Sequence, residues 1–219
     1  MLPRILEPEV MDTAEEAHDY DAMDHSAVNR VFVAEFLAVW DGRGPVLDVG
    51  TGTALIPIEL CKTHASAMVV AIDLAEQMLA VARDNVSEAG FADRIRLEKA
   101  NGRALAFADG AFPAVMSNSI VHHIPEPIQT IQEMVRVCGK GGTIFVRDLM
   151  RPSNRATLDH LVQTYAGDAN AHQKKMFAES LHAALTLDEI RDLVKRCGFD
   201  PAAVRATTDR HWTWSTKKV

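Results

Sequence analysis

Four residues in the first third of the chain have the types and spacing of a ligand site. Asp48, Gly50 and Gly52 lie in one short run, and Asp73 follows 21 residues after Gly52. A strand that leads into a glycine turn lets backbone N–H groups approach a ligand closely, and an acid at the end of the next strand can hold a ribose diol. These residues predict a nucleotide-type cofactor site in a first βαβ unit.

Two details of the run distinguish among such cofactors. The spacing is Gly-x-Gly-x-Ala, with Leu55 where a dinucleotide site has its third glycine, and Asp48 stands two residues before the first glycine. An anion at that position disfavours a pyrophosphate and favours a ligand with a positive amino-acid end, because opposite charges attract in a partly desolvated cleft. S-adenosylmethionine has a positive amino-acid end and no phosphate, so the run favours it.

Residues 48–54 resemble the first motif of the class I S-adenosylmethionine-dependent methyltransferases, acid-x-Gly-x-Gly-x-Gly. Ala54 replaces the last glycine and adds one methyl group, and the resemblance extends over residues 45–150. It implies that Asp73 binds the ribose hydroxyls and that Met78 packs near the adenine. The family's next motif has Asp-Ala where this chain has Asn101-Gly102, and an amide can still reach the adenine edge. The cofactor residues expected from the motifs are Asp48, Gly50, Gly52, Asp73, Leu74, Met78, Asn101, Gly102 and Asn118.

The stretch from Ser117 to Pro125, Ser-Asn-Ser-Ile-Val-His-His-Ile-Pro, is the second informative region. It resembles the post-strand motif of small-molecule methyltransferases, including quinone-pathway C-methyltransferases. It lacks the Asn-Pro-Pro-Tyr type of signature of enzymes that methylate exocyclic amines of nucleic-acid bases. We hypothesise that His122 removes or steers a substrate proton, because an imidazole titrates near neutral pH. The alternative is a histidine pair that only binds backbone at the rim of the site, and a structural role is the simpler interpretation of His123.

Acceptor-binding residues are expected in the segments that can cover the site. Many members of the family that the chain resembles carry an N-terminal tyrosine that closes over the cofactor, and Tyr20 is the candidate for that role. A helical insertion offers two further polar side chains. Asp148 ends the fifth strand and either accepts a hydrogen bond from substrate or pairs with Arg147 or Arg151. The alternative for Tyr20 is a surface residue in an acidic helix. The candidate substrate residues are Tyr20, His25, His123, Asp148, Tyr165 and His172.

The elements that must position these residues alternate between strand and helix patterns. Strands that alternate with helices predict an α/β fold with a doubly wound, mostly parallel, seven-stranded sheet. Ser26 is a candidate N-cap for a helix in the N-terminal segment, and the end of the chain predicts an antiparallel hairpin. We expect a single methyltransferase domain, residues 1–219. Its parts are an N-terminal helical cap segment at 1–44, a cofactor-binding core at 45–150, a helical insertion at 151–185, and a C-terminal helix and hairpin at 186–219.

Composition restricts the class of protein and of partner. The 219 residues carry a formal net charge of −7, which argues against a broad nucleic-acid surface and favours a small-molecule acceptor. Three scattered cysteines without a C-x-x-C spacing indicate thiols in a reducing compartment, and no apolar leader or membrane-length stretch is visible. We therefore expect a cytoplasmic protein without a membrane span. No metal site is expected from the spacing of histidines and acids, and the sequence does not indicate the oligomeric state.

Other classes of protein share parts of this pattern. A nicotinamide-dependent oxidoreductase would use the same glycine turn and Asp73, although Asp48 and Leu55 argue against it. A non-catalytic cofactor-binding or partner-binding protein could use the same fold, and Ala54 and Asn101 favour it slightly. A methyltransferase of tRNA or protein is a variant of the main interpretation. Oxygen or carbon acceptors are favoured, because a nearby base helps them most, while nitrogen and sulfur stay open.

Overall fold

The computed structural model describes residues 2–7 and 12–219; residues 1 and 8–11, which fall in the predicted N-terminal cap segment, lie outside the described residues. The strands are β1 Val46–Val49, β2 Val69–Asp73, β3 Ile95–Lys99, β4 Phe112–Asn118, β5 Cys138–Leu149, β6 Val204–Ala206 and β7 His211–Lys217. The helices are α1 Ala14–Asp21, α2 Ser26–Leu37, α3 Leu55–Thr63, α4 Glu76–Glu88, α5 Ile128–Val137, α6 Arg155–Ala166, α7 Ala171–Ala183 and α8 Leu187–Arg196.

One seven-stranded sheet has the order β3-β2-β1-β4-β5-β7-β6. β1 is parallel to both β2 and β4, and Asp48 has Ala71 and Met116 as its neighbours in register. β6 and β7 are antiparallel, with Ala206 opposite Trp212 and Val204 opposite Trp214. This order confirms the predicted α/β class with a mixed sheet and a C-terminal antiparallel hairpin.

Contacts between residues divide the chain into two compact units. The nucleotide unit comprises Val10–Asn118, Gln129–Val146 and Ser215–Val219, and the histidine unit comprises Met1–Glu9, Ser119–Ile128 and Arg147–Trp214. The expectation of a single domain stays a prediction.

The core of the nucleotide unit lies against β1, β2 and β4. Phe32 and Phe36 of α2 are buried there and contact the ring of Phe145 edge-on, with ring centroids 5.1 and 5.9 Å apart. Large aromatic side chains gain most from such burial, so α2 is fixed to the sheet by its apolar face. The predicted N-cap at Ser26 is wrong: Ser26 is already helical, and its N–H donates to Asp24 Oδ1 at 2.9 Å instead.

The histidine unit contains the predicted helical insertion as α6 and α7. Asn154 and Asn170 cap the two helices with their side-chain oxygens, and Gly167 separates them. Their apolar faces meet in one cluster, and α8 begins with a capping box between Thr186 and Glu189. That cluster contains Leu149, Leu158, Leu161, Leu181 and Ala184.

Across the described ranges, 2–7 and 12–219, each helix is too short or too polar to pass through a membrane.

Candidate cofactor site and histidine–carboxylate cluster

The glycine turn after β1 has an alternating backbone. Gly50, Gly52 and Ala54 have φ angles of 77°, 57° and 63°, so every second residue is left-handed. Alternation of this kind turns successive N–H groups toward one concave side and makes a cradle for negative charge. The Gly52 N–H donates to Asp73 Oδ2 at 2.8 Å, so a carboxylate of the chain itself already occupies part of the cradle. This explains physically why the turn suits a ligand without a pyrophosphate.

Asp73 joins the turn to the start of α4. Its Oδ2 accepts from Gly52 and its Oδ1 accepts from the Ala75 N–H at 2.9 Å. Burial raises the pKa of Asp73, although these backbone hydrogen bonds act in the opposite direction. Each carboxylate oxygen can accept more than one hydrogen bond, so both keep capacity for the two hydroxyls of a ribose. Asp73 is therefore fixed in place and still able to bind a diol.

Asp48 is buried in β1, with 2% of its surface exposed. Burial raises the pKa of Asp48 to about 7, and the charge of Asp73 adds to this rise while the Thr51 hydroxyl offsets part of it. Oδ2 of Asp48 and the hydroxyl of Thr53 are both buried without a hydrogen-bond partner among the described residues. Buried polar atoms without partners are costly. A ligand with a cationic group would satisfy both the carboxylate and the hydroxyl, so these residues fit S-adenosylmethionine.

Tyr20, at the end of α1, lies against the glycine turn. A Cβ placed on Gly52 would be 3.8 Å from Cε1 of Tyr20. Burial raises the pKa of the Tyr20 hydroxyl to about 12, and the charges of Asp73, Asp21 and Asp48 contribute. The ring of His25 stacks on that of Tyr20 with centroids 4.6 Å apart. The structure thus brings both N-terminal candidates to the turn and its carboxylates.

The other candidate cofactor residues have mixed surroundings. Met78 is buried among Ala17, Ala75 and Val81, where it packs α4 against α1. Leu74 and Asn118 are half-buried, and Asn101 is exposed.

The loop after β3 is fixed by its own backbone contacts. The side-chain oxygen of Asn101 accepts from the Arg103 N–H at 3.0 Å. A Cβ on Gly102 would lie 3.2 Å from Cγ2 of Thr130 and 3.3 Å from Cγ1 of Val49, so a larger residue would require these side chains to shift by a few tenths of an ångström.

His122 and Asp148 form a buried pair in the histidine unit. Nδ1 of His122 is 2.5 Å from Oδ1 of Asp148, and Oδ2 accepts from the N–H groups of Val121 and His122 at 2.5 and 3.2 Å. Burial alone would lower the pKa of His122, but the charges of Asp148 and Glu7 outweigh it and raise that pKa. Burial alone would raise the pKa of Asp148, but the charge and hydrogen bonds of His122 reverse the effect and lower it. The two alternatives raised from the sequence for Asp148, a hydrogen bond from substrate or a pair with Arg147 or Arg151, stay predictions.

Arg147 and Arg151, the two arginines near Asp148 in the sequence, have partners of their own. Nε of Arg147 donates to the Thr213 hydroxyl at 2.9 Å, and Arg151 forms an ion pair with Glu189 at 2.5 Å. The His122 ring and three N–H groups, those of Val121, His122 and Leu149, surround Asp148, so these contacts already satisfy its carboxylate.

Glu7 faces the same histidine pair from the N-terminal segment. Its Oε1 is 3.4 Å from Nε2 of His122 and 3.1 Å from Nδ1 of His123. Arg4 supports this arrangement by donating four hydrogen bonds to the carbonyls of Ala183, Pro125, His122 and Ile124, at 2.6 to 3.2 Å. Neither Arg4 nor Glu7 was expected from the sequence, because nothing in the local pattern relates them to the distant histidines.

The two candidates in the insertion lie outside this cluster. Tyr165 is exposed, and its hydroxyl donates a hydrogen bond to Oδ2 of Asp209 at 2.7 Å. The guanidinium of Arg210 lies over the Tyr165 ring, 3.3 Å from its centroid. His172 is exposed near the start of α7. Of the acceptor candidates, the structure therefore groups His123 with Asp148 and Tyr20 with His25, and it groups Tyr165 and His172 with neither pair.

The sheet order, the left-handed turn and Asp73 are together typical of class I S-adenosylmethionine-binding folds. Residues 47–146, a little under half of the chain, match the family model described as a methyltransferase domain. Over this stretch the chain is similar to the class I methyltransferases whose cofactor is S-adenosylmethionine.

Two curated proteins are similar to about half of this chain. A ubiquinone/menaquinone biosynthesis C-methyltransferase of Geobacter sulfurreducens is 33% identical over 53% of this chain and 46% of its own length. A phosphatidylethanolamine N-methyltransferase of Cereibacter sphaeroides is 39% identical over 47% of this chain and 49% of its own. The chain thus spans about half the length of these relatives.

One solved structure matches nearly the whole fold. A SAM-dependent methyltransferase of Aquifex aeolicus superposes with a TM-score of 0.68 at 17% identity, covering 94% of this chain and 99% of that one. At this identity the likeness concerns the fold alone.

Proposed function

We propose that the chain transfers a methyl group from S-adenosylmethionine to a small-molecule acceptor and releases S-adenosylhomocysteine. The observation that carries the proposal is the glycine turn. In it the Gly52 N–H donates a hydrogen bond to Asp73, and Oδ2 of the nearby Asp48 is buried without a hydrogen-bond partner among the described residues. The names of two relatives, which specify a quinone-pathway and a phospholipid acceptor, support a small molecule. The net charge of −7 argues in the same direction, against a polynucleotide.

The chain's own residues bind and orient in this proposal. Asp73 holds the ribose, Asp48 faces the amino-acid end, and Tyr20 covers the turn. When bound, S-adenosylmethionine supplies an already activated methyl group, so holding the acceptor in line and excluding water account for most of the rate. A base helps a phenol or carbon acceptor most. His122 remains our candidate for that step, and the C- and N-methyltransferases among the relatives leave the acceptor atom open.

The direct test is calorimetric titration with S-adenosylmethionine and S-adenosylhomocysteine, followed by a screen of phenols, quinols and amines for release of S-adenosylhomocysteine. We expect micromolar binding of both compounds and turnover with at least one class of acceptor. A folded protein that binds neither compound would contradict the proposal. Binding without turnover on any acceptor would favour the non-catalytic alternative, and saturable binding of NADH would favour the oxidoreductase.

The pKa of Asp48 gives this binding a specific pH dependence. Since the carboxyl has a pKa of about 7, it is mostly neutral below that pH and must lose its proton to pair with a ligand ammonium. The ammonium itself stays protonated below about pH 7.7. We therefore expect the Kd for S-adenosylmethionine to fall by up to about tenfold per unit as pH rises from about 5.5 to 7, and then to level off.

An Asp48→Asn variant tests whether that carboxyl causes the pH dependence. The amide has nearly the same shape and does not titrate, so its Kd should be weaker than the wild-type value at pH 7 and nearly constant over the same range. Titration calorimetry in buffers of equal ionic strength measures both series. A wild-type curve that is flat, or a variant curve as steep as the wild type, would exclude Asp48 from contact with the ligand's cationic end.

A further inference from the structure

Three side chains of the histidine unit place donor atoms at the spacing of metal ligands. Oε1 of Glu7 lies 3.4 Å from Nε2 of His122 and 3.1 Å from Nδ1 of His123. The three donor atoms all lie within 4.8 Å of one another. A tetrahedral zinc ion with ligand bonds of about 2.0–2.2 Å holds its donors about 3.3 Å apart. The two separations from Glu7 match that value. The separation between the two histidine donor atoms needs only a small rotation of the His123 ring.

His122 is already oriented for such a role. Its Nδ1 is bonded to Asp148 Oδ1, and this carboxylate is itself fixed by backbone N–H groups. A carboxylate that accepts from one ring nitrogen directs the lone pair of the neutral ring to the other nitrogen, which is the usual support of a metal-binding histidine. In this chain that other nitrogen, Nε2, is the atom that faces Glu7.

The third donor is held in place by the N-terminal segment. The N–H of Ile5 donates to the His182 carbonyl at 3.2 Å, and Arg4 binds carbonyls of the turn that carries both histidines. The Ser180 hydroxyl donates to Oε2 of Glu7 at 3.3 Å, which directs Oε1 toward the histidines. Contacts of three residues, Arg4, Ile5 and Ser180, therefore position one carboxylate oxygen next to two imidazoles.

We propose that Glu7, His122 and His123 bind one divalent cation of the zinc type. Two imidazoles and one carboxylate form a donor set that suits zinc and related transition metals, whereas magnesium and calcium prefer oxygen donors alone. The exposed fraction of the side chains rises from 4% at His122 to 12% at Glu7 and 21% at His123, so a fourth ligand can approach from the His123 side. The ion ties the N-terminal segment to the turn Val121–His123. This proposal does not depend on methyl transfer, and a bound ion would occupy Nε2 of His122 and so exclude His122 as the general base while the ion is present.

The experiment uses untagged protein treated with EDTA and then freed of it. Zn²⁺ is titrated in competition with a chromophoric chelator, and Co²⁺ is titrated while its visible absorption is recorded. We expect one ion per chain with a Kd of about 1 µM or tighter. Glu7→Gln and His123→Asn should each weaken binding by at least about tenfold. His160→Ala, which removes an exposed histidine of α6, should leave it unchanged.

The outcomes separate the proposal from its rivals. Absence of saturable Zn²⁺ binding to protein with a native circular dichroism spectrum would overturn it and leave Glu7 and His122 as a plain ion pair. Binding that survives Glu7→Gln would also overturn it, because the ion would then lie elsewhere. Glu7 is only half-buried, so its variant should fold even if a substitution at His122 does not. An Asp148→Asn variant that folds and binds about 10-fold to 100-fold more weakly would confirm the orienting carboxylate.

Discussion

Asp73→Asn is expected to weaken the binding of S-adenosylmethionine by about 100-fold. The carboxylate accepts from the N–H groups of Gly52 and Ala75, and in our proposal it also accepts from the ribose diol. Hydrogen bonds to a charged acceptor contribute about 1.5–3 kcal/mol each, roughly twice the neutral value. An amide keeps the size of the side chain but offers one acceptor oxygen, so its NH₂ group must face either a backbone N–H or a ribose hydroxyl.

Glu76→Gln is the matched control, because it removes a negative charge three residues away on the exposed face of α4. Glu76 forms ion pairs with Arg83 at 2.8 Å and Lys99 at 3.5 Å. Calorimetric titration of wild type and both variants with S-adenosylmethionine measures the effect, and circular dichroism reports whether each variant is folded. An Asp73→Asn variant with a Kd within about threefold of wild type would show that the ribose is held by another residue.

Asp148→Ala is expected to lower the free energy of unfolding by about 3–5 kcal/mol, the range measured when one member of a buried ion pair is removed. The reason is that Asp148, with 1% of its surface exposed, binds the His122 ring and the N–H groups of Val121, His122 and Leu149. Without the carboxylate, a buried imidazole and three buried N–H groups lose their partner together.

Urea unfolding followed by tryptophan fluorescence measures this loss, since Trp212 and Trp214 are fully buried in the same unit. Asp159→Ala is the control: its carboxylate is 57% exposed and its one ion-pair partner within residues 2–7 and 12–219 is Arg155 on α6, so the change should be below about 1 kcal/mol. If Asp148→Ala lost no more stability than Asp159→Ala, the pair would contribute nothing to folding.

The cofactor turn was predictable because its signal is local. The glycines, the acid before them and Asp73 lie on consecutive elements of one βαβ unit, so spacing alone places them together. The alternation of apolar strands and amphipathic helices likewise predicted the sheet and the helical insertion. The ends of elements were less predictable. The N-cap of α2 is His25, one residue before the predicted Ser26, and the Ser26 N–H donates to Asp24.

The histidine cluster was only half predictable. His122 and Asp148 were both recognised at strand ends, but their pairing was not, because two neighbouring arginines offered Asp148 equally plausible partners. Glu7 was invisible, since it reaches the histidines only after the N-terminal segment has packed against α7. Contacts between segments far apart in the chain depend on tertiary packing, and a search for metal-ligand spacing along the sequence cannot find them.

Ala54 shows how permissive the third position of the glycine motif is. Its left-handed backbone costs an alanine about 1–2 kcal/mol. Its methyl group is fully buried in the core cluster with Ile58 and Leu60, which returns about 0.8 kcal/mol. Burial therefore offsets only part of the backbone cost, and about 0.2–1.2 kcal/mol of it remains. A pattern search that insists on glycine at this position would discard this chain, although Ala54 keeps the left-handed turn.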